Sequence, residues 1–306
     1  MAEIGLVVFA TYALQVSKAV MPIYRSRFSK HIFNQPQLLA ILCLMRYEDW
    51  TFREAEVRLA EHQELRNALE LELVPDYTTL YRFLCRLDEN LLAQALIETL
   101  KRFPASAGDP KTTVAVDATG LAPGAISTFF VKRRKDRGDG LPWRYWLKWV
   151  VVVDLARQMV VAQLAKRGPY NDCAQLRPLV DTACRALPIQ TVLADAEFDS
   201  ERNHHHIRQV HGLQSVIPAK RGKANWKRHG VRAEMQQQFP KELYRKRALV
   251  ETVFSVVKRK LSARAPGHSL QTQRLQALLL GLAYNIYRLK PRLLLSYDQA
   301  ITTIPL

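Results

Sequence analysis

Five short runs rich in β-branched and apolar residues, spaced between residues 112 and 218, restrict the fold of this chain more than any other feature. They are Thr112 to Thr119, Leu147 to Asp154, Met159 to Lys166, Gln190 to Ala196 and Gln214 to Pro218. Segments 171–186 and 199–210 have helical periodicity, so three strands come first and helices then alternate with strands.

A long helix around residues 244–258 closes the series, and a second amphipathic helix covers 270–290. This order is that of an RNase H-like α/β fold, a mixed sheet flanked by helices.

Upstream, residues 1 to about 104 repeat apolar positions at three and four, as in Leu38, Leu39, Leu42 and Met45, and therefore read as all-α. Thr51-Phe52-Arg53-Glu54 fits a capping box. Pro75 halts what precedes it, and Asp76 can cap a helix through about Leu87. That helix carries Thr78, Thr79, Tyr81 and Arg82. The segment fits a helix-turn-helix-like module laid in a DNA groove, or equally a plain bundle with those residues on its solvated face. Breakers from Phe103 to Pro110 mark a linker, dividing the chain into a helical region at 1–104, the RNase H-like α/β region at 111–293 and a tail at 294–306.

Charge narrows the partners. Lys and Arg number 45 against 28 Asp and Glu, and the net charge of +17 attracts polyanions, with nucleic acid the foremost. From Lys220 to Arg247 there are ten basic residues against two Glu, among them Lys220, Arg221, Lys223, Lys227 and Arg228. This run reads as tracking phosphates; Trp226, in its middle, either stacks on an extruded base or anchors packing. A second patch, Lys132, Arg133, Arg134 and Lys135, reads as a loop over DNA or a solvated turn.

Four scattered cysteines, Cys43, Cys85, Cys173 and Cys184, form no metal-binding pair and suit a reducing cytosol. The apolar stretch from Ile4 to Val16 is too short to span a bilayer and lacks a basic leader, so neither a signal peptide nor a membrane anchor is expected.

Two strands finish in an acid: Asp117 in VAVDAT and Asp195 in VLADA. A buried carboxylate needs a partner or a cation, and either residue alone could be a helix cap or an ion-pair member. The stretch YRKRALVETVFSVVK adds Tyr244, Arg247, Glu251 and Lys258, which fall within an arc of about 60° on a continuous α-helix. Leu249, Val250, Val253, Val256 and Val257 lie roughly opposite. Asp154 also ends a strand, but Arg157 just after it points to a hairpin turn. Asp199 is expected to cap the helix after the second acid, and His204, His205 and His206, pointing to different sides of that helix, are expected at the surface.

The spacing Tyr-x2-Arg-x3-Glu-x6-Lys resembles the signature of bacterial insertion-sequence DDE transposases, matched here at Tyr244, Arg247, Glu251 and Lys258. VAVDAT is similar to the first Asp strand of that family, and ADAEFDS to its second Asp motif, with Phe198 in place of the usual Tyr. The likeness extends over about residues 30 to 292. It implies that Asp117, Asp195 and Glu251 hold two Mg2+ ions, or Mn2+ as a substitute, with Asp117 bridging both. Arg247 and Lys258 would then grip phosphates, and Tyr244 would position the backbone.

The same resemblance implies double-stranded DNA as partner, both transposon ends and target. It also implies a homodimer or higher assembly and a place in the bacterial cytoplasm beside the nucleoid. The implied reaction is cleavage at the terminal inverted repeats followed by transfer of the 3′-OH ends. The alternatives are a transposase-derived regulator that no longer cuts and a metal-dependent nuclease without strand transfer. Because 56 positions separate Asp195 from Glu251, no large domain is expected between them.

Overall fold

The computed structural model describes residues 4–28, 31–103, 111–123, 136, 146–168, 171–220 and 230–289. Six helices come first: α1 Leu6–Val20, α2 Gln35–Glu48, α3 Phe52–Glu61, α4 Gln63–Ala68, α5 Tyr77–Arg86 and α6 Glu89–Arg102. Local chemistry sets their starts. Thr51 accepts from the Glu54 amide while Glu54 reaches back to the Thr51 amide, and Asp76 accepts from the amide of Thr78. None of the helices among the described residues is long and apolar enough to cross a membrane.

Five strands follow, β1 Thr112–Leu121, β2 Leu147–Asp154, β3 Met159–Arg167, β4 Ile189–Ala194 and β5 Gln214–Val216. They form one sheet in the order β3-β2-β1-β4-β5. β1, β2 and β3 pair antiparallel, whereas β1, β4 and β5 pair parallel. Residues 155–158 join β2 to β3 in a short hairpin, and the parallel strands are reached through helical crossovers. These are α7, Leu176–Ala186, and α8, Glu201–His205, which continues as a π-turn over His206–Val210. This is the RNase H-like mixed sheet with an all-α region ahead of it. In β2 every residue except Lys148 is buried, so both faces of the sheet are covered.

The last elements are α9 Gly230–Gln237, α10 Lys241–Arg245, α11 Ala248–Val256, a π-turn over Val257–Leu261, and α12 Leu270–Arg288. α12 packs against β3, α2 and α6 and so joins the N-terminal helices and the sheet into one apolar core. Asn285, fully buried on α12, accepts from the Val160 amide at 2.9 Å. It also donates to the Val160 carbonyl at 2.8 Å and to Thr99 Oγ1 of α6 at 3.0 Å. The side chain thereby satisfies the edge strand β3 beside its bulge and ties it to the N-terminal helices.

Several expectations are corrected. The single helix expected over 244–258 is interrupted twice. The amides of Lys246, Arg247, Leu249 and Val250 bond to carbonyls three residues back, and a π-turn opens at Val257. Ser200, not Asp199, caps α8, because Ser200 has the extended backbone of a cap and accepts from the Asn203 amide. The Asp199 carboxylate turns inward to Arg232 of α9. His204 is completely buried against Ser215 of β5, since α8 lies along the sheet and turns that position inward. His206 is half-buried beside Asp181. Asp154 behaves as the hairpin reading expects, paired with Arg157 and accepting from Thr112 and the Ala156 amide.

Candidate active site

The site begins in the parallel ladder between β1 and β4. Val116 pairs with Ala194, so the residues that follow stand side by side: Asp195 just past the end of β4, and Asp117 still within β1, which runs on to Leu121 instead of finishing at the acid as expected. Apolar neighbours on both strands hold that register: Val114, Ala115, Val116, Val192, Leu193 and Ala194 are all completely buried. At Asp195 the chain turns into a short 3-10 segment, and the carboxylate accepts from the Glu197 amide at 2.8 Å. Phe198, the aromatic residue of that motif, is buried beneath the turn.

The third acid arrives on α11. Val250, Val253 and Phe254 of this helix are buried, and Phe254 packs against Trp149 of β2 with ring centroids 5.8 Å apart. That packing leaves Glu251 on the exposed side. Arg247, one turn earlier, donates to Asp117 Oδ2 at 2.8 Å and to Glu251 Oε1 at 2.7 Å. One guanidinium therefore draws an acid from the sheet and an acid from the helix to the same point. The Tyr244 ring lies under it, 5.7 Å from the guanidinium carbon, and is itself packed on Phe239. The interrupted helix thus still groups Tyr244, Arg247 and Glu251. Lys258 sits exposed on the π-turn, and among the described residues no hydrogen bond or ion pair joins it to the other three.

Electrostatics at this point are unfavourable for the acids alone. Burial pushes the Asp117 carboxyl up to about 6, with Asp195 and Glu251 adding repulsion, while the Ala118 amide and Arg247 pull it back. Burial raises Asp195 as well, and the nearby Glu197 charge adds to that. Carboxylates held this way are stabilised by added positive charge. An all-oxygen donor set suits a hard divalent cation such as Mg2+, and the position taken by the Arg247 guanidinium is already one where a cation is favoured.

Two clasps that spacing could not reveal secure the Asp195 turn. Lys148 of β2 reaches Asp172 at 2.5 Å and Glu197 at 3.7 Å. Asp199, four residues after Asp195, is bound by Arg232 at 2.8 Å and accepts from the Lys220 amide at 2.8 Å. Their only trace in the sequence is composition, an acid-rich motif and a basic run, with no fixed interval between partners.

On α5, Tyr81 packs edge-on against Phe52 at 5.6 Å, and Thr78 donates to Asp76. Thr79 and Arg82 line a cavity of about 620 Å³ together with Tyr24, Arg25 and Arg86. Lys220 is described, and its amide belongs to the Asp199 clasp. Arg221, Lys223, Trp226, Lys227, Arg228, Lys132, Arg133 and Arg134, like most of the linker and the tail, lie outside the described residues.

A family model described as a transposase DDE domain matches residues 108–286 of this chain. Among solved structures the chain is similar to a piggyBac transposase in a synaptic complex with hairpin DNA, determined by cryo-EM. The TM-score is 0.48 at 9% identity, over 96% of this chain and 75% of that one. No curated protein matches.

Proposed function

The chain belongs to the transposase DDE-domain family, and from this premise we propose that it cuts DNA at transposon ends and transfers them, with Asp117, Asp195 and Glu251 holding two Mg2+ ions. The observation that carries the reading is that Arg247 links Asp117 to Glu251 while Asp117, raised by burial, also feels the charge of Asp195, which follows the paired end of the adjacent strand and is itself raised by burial. Bound there, divalent cations would supply charge neutralisation at the phosphate under in-line attack.

The remaining residues bind and orient. Arg247 and Lys258 grip phosphate oxygens beside the scissile bond, and Tyr244 fixes the backbone through its hydroxyl. The basic runs at 220–228 and 132–134 follow the duplex, in keeping with the net charge of +17. The face of α5 with Thr78, Thr79, Tyr81 and Arg82 recognises the terminal repeats in the manner of a helix-turn-helix. In the first step the oxygen of water joins the flanking 5′-phosphate, the bond from phosphorus to the 3′ oxygen breaks, and that oxygen takes the proton. In the second, the freed 3′-OH attacks a target phosphodiester and displaces its 3′ oxygen. A homodimer or larger assembly brings two ends together.

The experiment is cleavage of labelled DNA carrying the flanking element's ends, with Mg2+ or Mn2+ and paired ends supplied. Asp117→Ala and Glu251→Gln are each expected to lower cleavage at the repeat boundary by at least about 100-fold while DNA binding persists. Undiminished cleavage in either variant would overturn the assignment of that acid. Binding without any cleavage by the unaltered chain would replace the enzyme with a regulator.

A further inference from the structure

A second group of chemically distinctive side chains lies away from the three acids. Asp181 of α7 meets His206 and His211, which stand at the start and just past the end of the π-turn that follows α8. Its Oδ1 is 2.6 Å from the Nε2 of each ring. Among the described residues these three form the one group of His, Cys, Asp or Glu whose ligand atoms all fall within 4.8 Å of one another.

The π-turn makes the group. In an α-helix, residues five apart point about 140° away from each other, so His206 and His211 would face different sides. Here the His211 amide bonds to the His206 carbonyl at 3.3 Å, one residue wider than an α-turn, and the rings come together with centroids 5.0 Å apart. Such single-turn widenings recur at functional sites. The side chains are about one-fifth exposed for the histidines and 37% exposed for Asp181, so solvent ions reach them.

Topology separates this group from the candidate active site. α7 runs down to the start of β4, and α8 with its π-turn runs from the far end of β4 down to the start of the parallel strand β5. Asp181, His206 and His211 therefore lie towards the beginning of the parallel strands, whereas Asp195 follows the end of β4, a six-residue strand about 20 Å long.

We propose that Asp181 Oδ1, His206 Nε2 and His211 Nε2 bind one borderline divalent transition metal of the zinc class, clipping α7 to the π-turn on either side of β4. Two imidazoles and one carboxylate suit Zn2+, Co2+, Ni2+ or Cu2+, whereas Mg2+ and Ca2+ favour oxygen ligands throughout. Metal–ligand distances of about 2.0–2.2 Å require the two oxygen–nitrogen contacts to open to about 3.3 Å, a movement of side chains alone. Water completes the coordination from the exposed side.

The test uses the untagged full chain, stripped with chelator and dialysed against Co2+ in excess Mg2+ so that the hard oxygen site is occupied. One Co2+ is expected to remain with visible absorption typical of nitrogen ligation, and His206→Gln, His211→Gln and Asp181→Asn are each expected to weaken it by at least about 100-fold. Asp195→Asn is expected to keep it, and Zn2+ should raise the melting temperature of the parent but not of His211→Gln. Should a variant fail to fold, the ring resonances of His206 and His211 in the parent must move on adding Zn2+ under Mg2+. Failure of the parent to retain Co2+, equal retention by the folded histidine variants, loss on Asp195→Asn, or unmoved ring resonances would each overturn the proposal.

Discussion

The Arg247 guanidinium donates to the Asp117 carboxylate at 2.8 Å, joining a residue of the last third of the chain to the middle strand of the sheet. Its second terminal nitrogen holds Glu251 at 2.7 Å. In Arg247→Ala the half-buried Asp117 loses its cationic partner and faces Asp195 and Glu251 alone. The expected result is a fall in cleavage of about 100-fold or more, with a loss of about 1–3 kcal/mol in stability. Arg247→Lys should recover little of the cleavage, because an ammonium cannot present two parallel donors to two acids. Single-turnover cleavage and urea unfolding on both variants check this.

The Asp199 clasp makes a pH prediction. Burial alone would raise this carboxyl; the neighbouring His204 ring, the Arg232 guanidinium and the Lys220 amide outweigh it and hold it at about 2. A carboxyl held below its unfolded value near 3.9 contributes stability that is complete above that value and is lost as pH falls towards 2. The contribution is about 2 kcal/mol, so Asp199→Asn should be less stable than the parent at pH 6 by roughly that amount and should converge with it near pH 2. Urea midpoints across that range provide the measurement.

Gly281 of α12 sits where a methyl group would fall 2.1 Å from Gln163 Oε1 and 3.0 Å from the Trp149 ring. Gln163 cannot swing away freely, since it accepts from Trp149 Nε1 at 3.0 Å and donates to the Leu278 carbonyl at 2.8 Å. Although alanine is the better helix former by about 1 kcal/mol, Gly281→Ala is expected to destabilise by about 1–3 kcal/mol. Thermal unfolding of the pair would show the sign directly.

Asn285 is the buried polar tie between β3 and α6, and its loss would strand the Val160 amide and carbonyl without water. Asn285→Leu, which fills the space, should cost about 2 kcal/mol or more through those unsatisfied groups. Hydrogen exchange should find the Val160 amide losing protection first, ahead of β1 and β4.

Features that depend on neighbours a few residues apart are legible in the chain. The strands at Leu147 to Asp154 and around Thr112, the capping box at Thr51 and the cap at Asp76 were all legible, since periodicity and capping are local. So was Asp195 just past the end of β4, whereas Asp117, also expected to finish its strand, lies within β1, which pairs with β2 on to Leu121. Tertiary structure alone decided which partners those groups find. The tightening at Lys246 to Val250, the π-turn that joins His206 to His211, the inward turn of His204 and the choice of Arg232 for Asp199 all depend on surfaces contributed by remote segments. An interval along the chain carries no record of such contacts, since the free energy that selects them arises only when distant side chains lose water together.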